Sequence, residues 1–149
     1  MNDHEGRFTA GGESSPDSSR VVRPEGWPRP SGYSDGIVAR GRLVFVAGQV
    51  GWDPVQHEFE SDDFAQQARM ALLNVIAILE AAGADAMQVV RMTWFVTSIT
   101  EYAMARDTLG PTFRSLFGGH YPAITLVQVT GLLEPRAKVE IEATAVVPD

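Results

Sequence analysis

The sequence predicts an α+β fold, one sheet with two helices packed on one of its faces. Three observations predict it. Strand-like runs rich in β-branched and aromatic residues occur at 43–50, 89–96 and 137–147. Two stretches of helical periodicity, at 61–83 and 101–117, separate them. No tandem repeat, heptad run or linker divides the chain beyond its N-terminal tail, so the order β-β-α-β-α-β-β describes one domain over 21–149.

Residues 1–20, MNDHEGRFTAGGESSPDSSR, are rich in Gly, Ser, Asp and Glu, and a disordered tail is expected there. RPEGWPRPSGYSDG follows, with Pro24, Pro28 and Pro30 excluding regular structure and Trp27 and Tyr33 available as surface anchors. Residues 37–40 and 43–50 predict a hairpin turned at Gly41-Arg42. Leu43-Val44-Phe45-Val46-Ala47 is apolar at every position. A strand with one wet face alternates, so this one predicts cover on both sides.

In SDDFAQQARMALLNVIAILEAAGA the apolar residues Phe64, Ala68, Leu72, Val75 and Leu79 recur at helical spacing. Ser61 is the expected N-cap, Asp62 and Asp63 suit the positive end of the helix dipole, and Gly83 is the stop. QVVRMTWFVTS predicts a strand. EYAMARDTLGPTFRSLF predicts a second helix, weakened at Gly110-Pro111 and closed by Gly118-Gly119. Strands at 124–130 and 137–147 complete the sheet.

Composition excludes several function classes. A net charge of −7 opposes binding to a phosphate backbone, and with it a ribonuclease. No run approaches the roughly 20 apolar residues of a membrane span. The N-terminus lacks the apolar core of a secretory signal, so a cytoplasmic location is expected. The absence of cysteine excludes disulfides, thiol nucleophiles and thiolate metal sites. His4, His57 and His120 are scattered, and no phosphate loop or Ser-His-Asp order is present, so neither metal nor cofactor is expected.

Two helices cover one face of such a sheet. Leaving the other face wet costs several kcal/mol, at roughly 25 cal/mol per Å² of apolar area. A second copy of the chain is the expected cover; the loop after Trp52 or the N-terminal segment is the alternative. In the last strand Lys138, Glu140, Glu142 and Thr144 share one face, and Ala137, Val139, Ile141 and Ala143 share the other. With the apolar set against the helices, the carboxylates point at an interface. A buried acid there must be paired, hydrogen-bonded or neutral, and such clefts commonly hold ligands.

Four stretches, GYSDGIVARGRLVFVAGQVG, NVIAILEAAGA, YPAITLVQV and KVEIEATAV, in that order over about 32–147, resemble the Rid family. These are the reactive-intermediate deaminases, YjgF-like proteins also labelled L-PSP endoribonucleases. The resemblance implies a chorismate-mutase-like fold and a homotrimer with ligand clefts between subunits. It also implies hydrolysis of enamines and imines to ketones and ammonia. The family's Pro-Ala-Arg signature is here Pro122-Ala123-Ile124. The missing arginine clamps a substrate carboxylate through paired charge-assisted bonds, and Ile124 has neither donor nor charge.

Carried over position by position, Tyr33 matches a cleft tyrosine, and Gly48 a residue whose carbonyl approaches the reacting water. Glu140 matches the acid that activates that water. Leu126 stands where the family often has Cys, Ser or Thr, with Thr125 beside it on the cleft strand. Arg106 falls where an asparagine lines the cleft; it either replaces the lost clamp or is a solvated helix residue. Glu140 is either the catalytic acid or a structural one tied to Lys138, Arg136 or a neighbouring subunit. His120 is a proton shuttle, an anion ligand or an ordinary loop residue. Trp52 is a candidate floor for a planar substrate, whereas Trp94 suits the core or an interface.

The expectation is therefore a deaminase that adds water to the C=N carbon of an atypical, less carboxylate-dependent, planar imine or enamine, such as one from aromatic or amine breakdown. The alternative, favoured by the lost arginine, is a non-catalytic ligand-binding or holdase-like trimer. In either case the partners are further copies of the chain and a small molecule, without nucleic acid or membrane.

Overall fold

The computed structural model describes residues 19–149. The tail expected over 1–20 lies outside them except for Ser19 and Arg20, which open a strand. In chain order the elements are β1 (Ser19–Val22), β2 (Gly36–Ala39), β3 (Arg42–Val50), α1 (Phe64–Ala81), β4 (Val89–Val96), α2 (Ile99–Phe117), β5 (Ala123–Gln128) and β6 (Val139–Val147). Four strands form the main sheet in the order β3-β6-β4-β5. β6 runs antiparallel to both of its neighbours, and β5 runs parallel to β4. A parallel pair needs a long crossover, which α2 supplies.

The expected hairpin between residues 37–40 and 43–50 does not form. β2 pairs instead with β1, Ser19 opposite Ala39 and Val22 opposite Gly36, as a separate two-stranded ribbon. The corner at Gly41, with φ 144°, packs against the end of β6; a Cβ there would stand 3.0 Å from the Val147 carbonyl carbon. The chain thus leaves the edge of β3 at that corner rather than doubling back along it.

Each helix opens on a side-chain cap. Asp63, not Ser61, caps α1 by accepting the Gln66 N–H at 3.0 Å, while the Ser61 hydroxyl accepts the Asp63 N–H at 3.0 Å. Gly83, at φ 73°, follows the Ala82 C-cap as expected. Ser98 caps α2 by accepting the Glu101 N–H at 3.2 Å, so this helix starts before the expected Glu101. Pro111 lies inside α2 without ending it. The proline removes one backbone bond, but buried Leu109, Phe113 and Phe117 pin both flanking turns to the core.

The helices cover one sheet face. Val46, Met92, Trp94, Ile141 and Ala143 pack there against Leu72, Val75 and Leu79 of α1 and Phe113 of α2. Alternation sends Leu43 and Phe45 to the opposite face, together with Glu140, Glu142 and Thr144 of β6 and Phe95 of β4. Phe45 is 74% exposed and Leu43 58% exposed. The cover expected for this face is thus not supplied by the described residues. The loop after Trp52 packs on itself and on Arg136 instead.

Candidate functional site

Two clusters carry the chemistry, one on each face of the main sheet. The first is built on a β-bulge. Val46 pairs with Ala143 and Gln49 with Ile141, so Ala47 and Gly48 together stand opposite Glu142 alone. The bulge brings Gly48 against the side chain of Glu140: a Cβ on Gly48 would lie 2.8 Å from the carboxyl carbon. Glu140 itself sits between Val50 and Phe95 in the strand register. It has no ion-pair partner among the described residues. The two cations proposed for it are engaged elsewhere, Lys138 with Glu101 at 2.5 Å and Arg136 with Asp62 at 2.9 Å.

The start of β6 is held by Gln67 of α1, 1% exposed. Its Nε2 donates to the carbonyls of Ser61 at 2.9 Å and Arg136 at 3.1 Å, and its Oε1 accepts the Lys138 N–H at 2.9 Å. Asn74, also on α1, donates to the carbonyls of Val50 at 3.1 Å and Trp52 at 3.0 Å and so fixes the end of β3. One helix therefore sets the positions of both strands that bring Gly48 and Glu140 together. Sequence reasoning missed both amides. Their signal was present as polar residues on the apolar stripe of α1.

The second cluster is a cleft of about 500 Å³ between α2, β5 and the segment before β2. Four predicted residues line it: Tyr33, Arg106, Ile124 and Leu126. Tyr33 is placed by its neighbour, because Ser34 donates its backbone N–H to the Pro122 carbonyl at 2.9 Å and its hydroxyl to the Tyr121 carbonyl at 2.6 Å. The aromatic walls include Trp94, Phe113 and Tyr121, the last two stacked with centroids 5.9 Å apart and planes 9° apart. Trp94 is 5% exposed, and its indole Nε1 is the one buried side-chain polar atom without a partner among the described residues. Arg114, which sequence reasoning passed over, also lines the cleft, two helical turns beyond Arg106. A second depression of about 460 Å³, between the starts of α1 and α2, contains none of the predicted residues.

Three predicted residues stand apart. Trp52 does not floor the cleft; it stacks on His57 with ring centroids 4.4 Å apart. Its carbonyl is tied to α1, which leaves the ring over its own loop. His120 does not line the cleft either. Its Nε2 lies 2.5 Å from the Val89 carbonyl, so the ring fastens the α2–β5 turn to β4. Thr125 pairs with Thr93 and projects to the face opposite Ile124 and Leu126. Glu140 and Gly48 likewise lie across the sheet from the cleft, so one copy of the chain does not join the carboxylate to Tyr33 and Arg106.

One mixed sheet with both helices on one face and a single β6 strand antiparallel to its two neighbours defines an α+β domain of the chorismate-mutase-like fold. The match extends to sequence. The chain belongs to the Endoribonuclease L-PSP family, also known as the YjgF or Rid family, which matches residues 28–147. It is 35% identical over 130 residues to protein DfrA of Myxococcus xanthus, covering 85% of this chain and 95% of that one. It is 31% identical over 128 residues to human 2-iminobutanoate/2-iminopropanoate deaminase, covering 85% and 89%. The Rid-family protein YyfB of Yersinia pestis superposes with a TM-score of 0.74 at 31% identity, over 87% of this chain and 99% of that one. Among the described residues no helix is long and apolar enough to cross a membrane.

Proposed function

We propose that this protein hydrolyses a reactive imine or enamine to a ketone and ammonia, in a site completed between copies of the chain. One copy contributes the cleft of Tyr33, Arg106, Ile124 and Leu126; its neighbour contributes Glu140 and the Gly48 carbonyl. The observation that carries the proposal is the Glu140 carboxylate, unpaired among the described residues and pressed against a glycine on the sheet face that also exposes Leu43 and Phe45. A structural acid would be expected to hold a cation, and the two candidates in its own segment, Arg136 and Lys138, are engaged elsewhere. The name of the human relative, an imino-acid deaminase, supports the same reaction class.

In this mechanism a water held by Glu140 and the Gly48 carbonyl attacks the C=N carbon. A C–O bond forms as the π pair moves to nitrogen, and Glu140 takes the water's proton. Glu140 passes that proton to nitrogen, giving the carbinolamine; it then relays the hydroxyl proton to nitrogen as well, the C–N bond breaks, and ammonia leaves as the C=O bond forms. An enamine enters the same path after protonation at carbon. Arg106 holds a substrate carboxylate in place of the family arginine, and the aromatic walls favour a planar, conjugated skeleton.

Ammonia release from a panel of imines generated in situ tests this reading. Wild type is expected to exceed background on planar carboxylated imines. Glu140→Ala abolishes that excess, and Arg106→Ala reduces it for carboxylated substrates only. Background rates from wild type on the whole panel would leave a ligand-binding trimer instead.

A further inference from the structure

The cleft holds a second arginine, and its placement bears on what the ligand carries. Arg106, Gly110 and Arg114 follow one another at four-residue spacing on one face of α2, and all three line the cleft. The two arginine Cα atoms stand about 12 Å apart along the axis, at 1.5 Å per residue. The Arg114 side chain folds back over Gly110, its Nη1 lying 3.6 Å from where a Cβ would stand on that glycine. The glycine thus lets the Arg114 guanidinium lie over the turn of α2 that leads back toward Arg106.

Neither arginine forms an ion pair among the described residues. No acid stands three or four residues from either, where a helical partner would have to be; those positions carry Tyr102, Ala103, Leu109, Gly110, Pro111, Phe117 and Gly118. Both are exposed arginines, and together they make this cleft locally cationic in a chain of net charge −7. One guanidinium fork satisfies both oxygens of one carboxylate. A second fork in the same cleft calls for a second anionic group.

We infer that the ligand of this cleft is a planar dicarboxylate, with one carboxylate held by Arg106 and the other by Arg114. Resting on the deaminase reading, the substrate is an imine or enamine of a conjugated diacid. Arg114 is the specificity-determining residue that separates diacids from monoacids. The skeleton between the carboxylates lies along the Tyr102, Phe113 and Tyr121 rings.

Calorimetric titration with two unreactive probes at fixed ionic strength, terephthalate and benzoate, tests the inference without turnover. The wild-type protein is expected to bind terephthalate at least about tenfold more tightly than benzoate. Arg114→Gln erases that advantage and leaves benzoate unchanged; Arg114→Lys, which keeps the charge, retains part of it. Arg106→Gln weakens both probes. Equal affinities in the wild type, or a tenfold advantage that survives Arg114→Gln, would overturn the inference. Because the readout is binding, it fails independently of the deaminase reading. Diacid preference without ammonia release sinks only the chemistry, and ammonia release without diacid preference sinks only the role of Arg114.

Discussion

The carboxyl group of Glu140 occupies the space that a side chain on Gly48 would fill. A Cβ at position 48 would lie 2.8 Å from the carboxyl carbon and 2.9 Å from Cγ. The bulge in β3 creates this contact, and only glycine permits it. Gly48→Ala is expected to destabilise the fold by about 1–3 kcal/mol, the usual range for overpacking. Glu140→Ala in the same chain should restore most of that loss, because the clash goes with the carboxylate. Urea denaturation of the two single variants and the double variant measures the coupling; additive effects would show that the two residues do not touch.

Glu140→Gln keeps the shape of the side chain and removes the base. Ammonia release is expected to fall by about 10²–10⁴-fold, the range of a lost general base. The urea midpoint should stay the same or rise, since no cation among the described residues loses a partner. A large stability loss with intact turnover would return Glu140 to a structural role.

Gln67 is the buried amide that registers β6 on α1. Gln67→Leu conserves bulk but strands the Lys138 N–H and the carbonyls of Ser61 and Arg136. A loss of about 3 kcal/mol is expected from unsatisfied buried groups. Turnover should fall too, because the strand that carries Glu140 loses its anchor. Chemical denaturation beside a steady-state assay separates the two effects.

Phe45 tests the bare sheet face. Phe45→Glu places a charge where a 74% exposed aromatic ring stands. If copies of the chain cover this face, the variant is expected to dissociate in light scattering and to lose ammonia release with it. An unchanged mass would mean that the face is not the contact surface.

Asp53 gives the loop after β3 a pH dependence. Its carboxylate accepts the N–H groups of Gln56 and Val55, at 3.0 and 2.8 Å, and these bonds, with a lesser contribution from His57, hold its pKa below the usual range. A depressed folded-state pKa stabilises the turn fully above the unfolded value of about 3.9. That contribution is lost as pH falls through the folded value. The Val55 and Gln56 amide resonances should therefore shift together below about pH 4, and Asp53→Asn should abolish the transition.

Much of the architecture was legible in the chain. The spacing of Phe64, Ala68, Leu72, Val75 and Leu79 marked α1. Strict alternation along 139–145 put Glu140 and Glu142 on one face and Val139 and Ile141 on the other. The family resemblance assigned Tyr33, Arg106, Ile124 and Leu126 to a cleft, and the four line one cleft. Other features were not legible. β1 is four residues, SRVV, with no pattern to separate it from a tail. The partner of β2, the bulge at Gly48, the stacking of Trp52 on His57 and the bond of His120 to Val89 all join residues through geometry rather than spacing.

The sequence by itself determined which residues share a face, because side-chain direction follows a fixed local period of the backbone. It also predicted that the two helices would cover only one face of the sheet, as they do. Only the tertiary structure decided that Glu140 and the Arg106 cleft lie on opposite sides of the sheet, and that Arg114 turns back beside Gly110 toward Arg106. Those relations depend on which strands pair and on where α2 crosses them. Long-range contacts fix that choice collectively, and no short stretch of sequence encodes it alone.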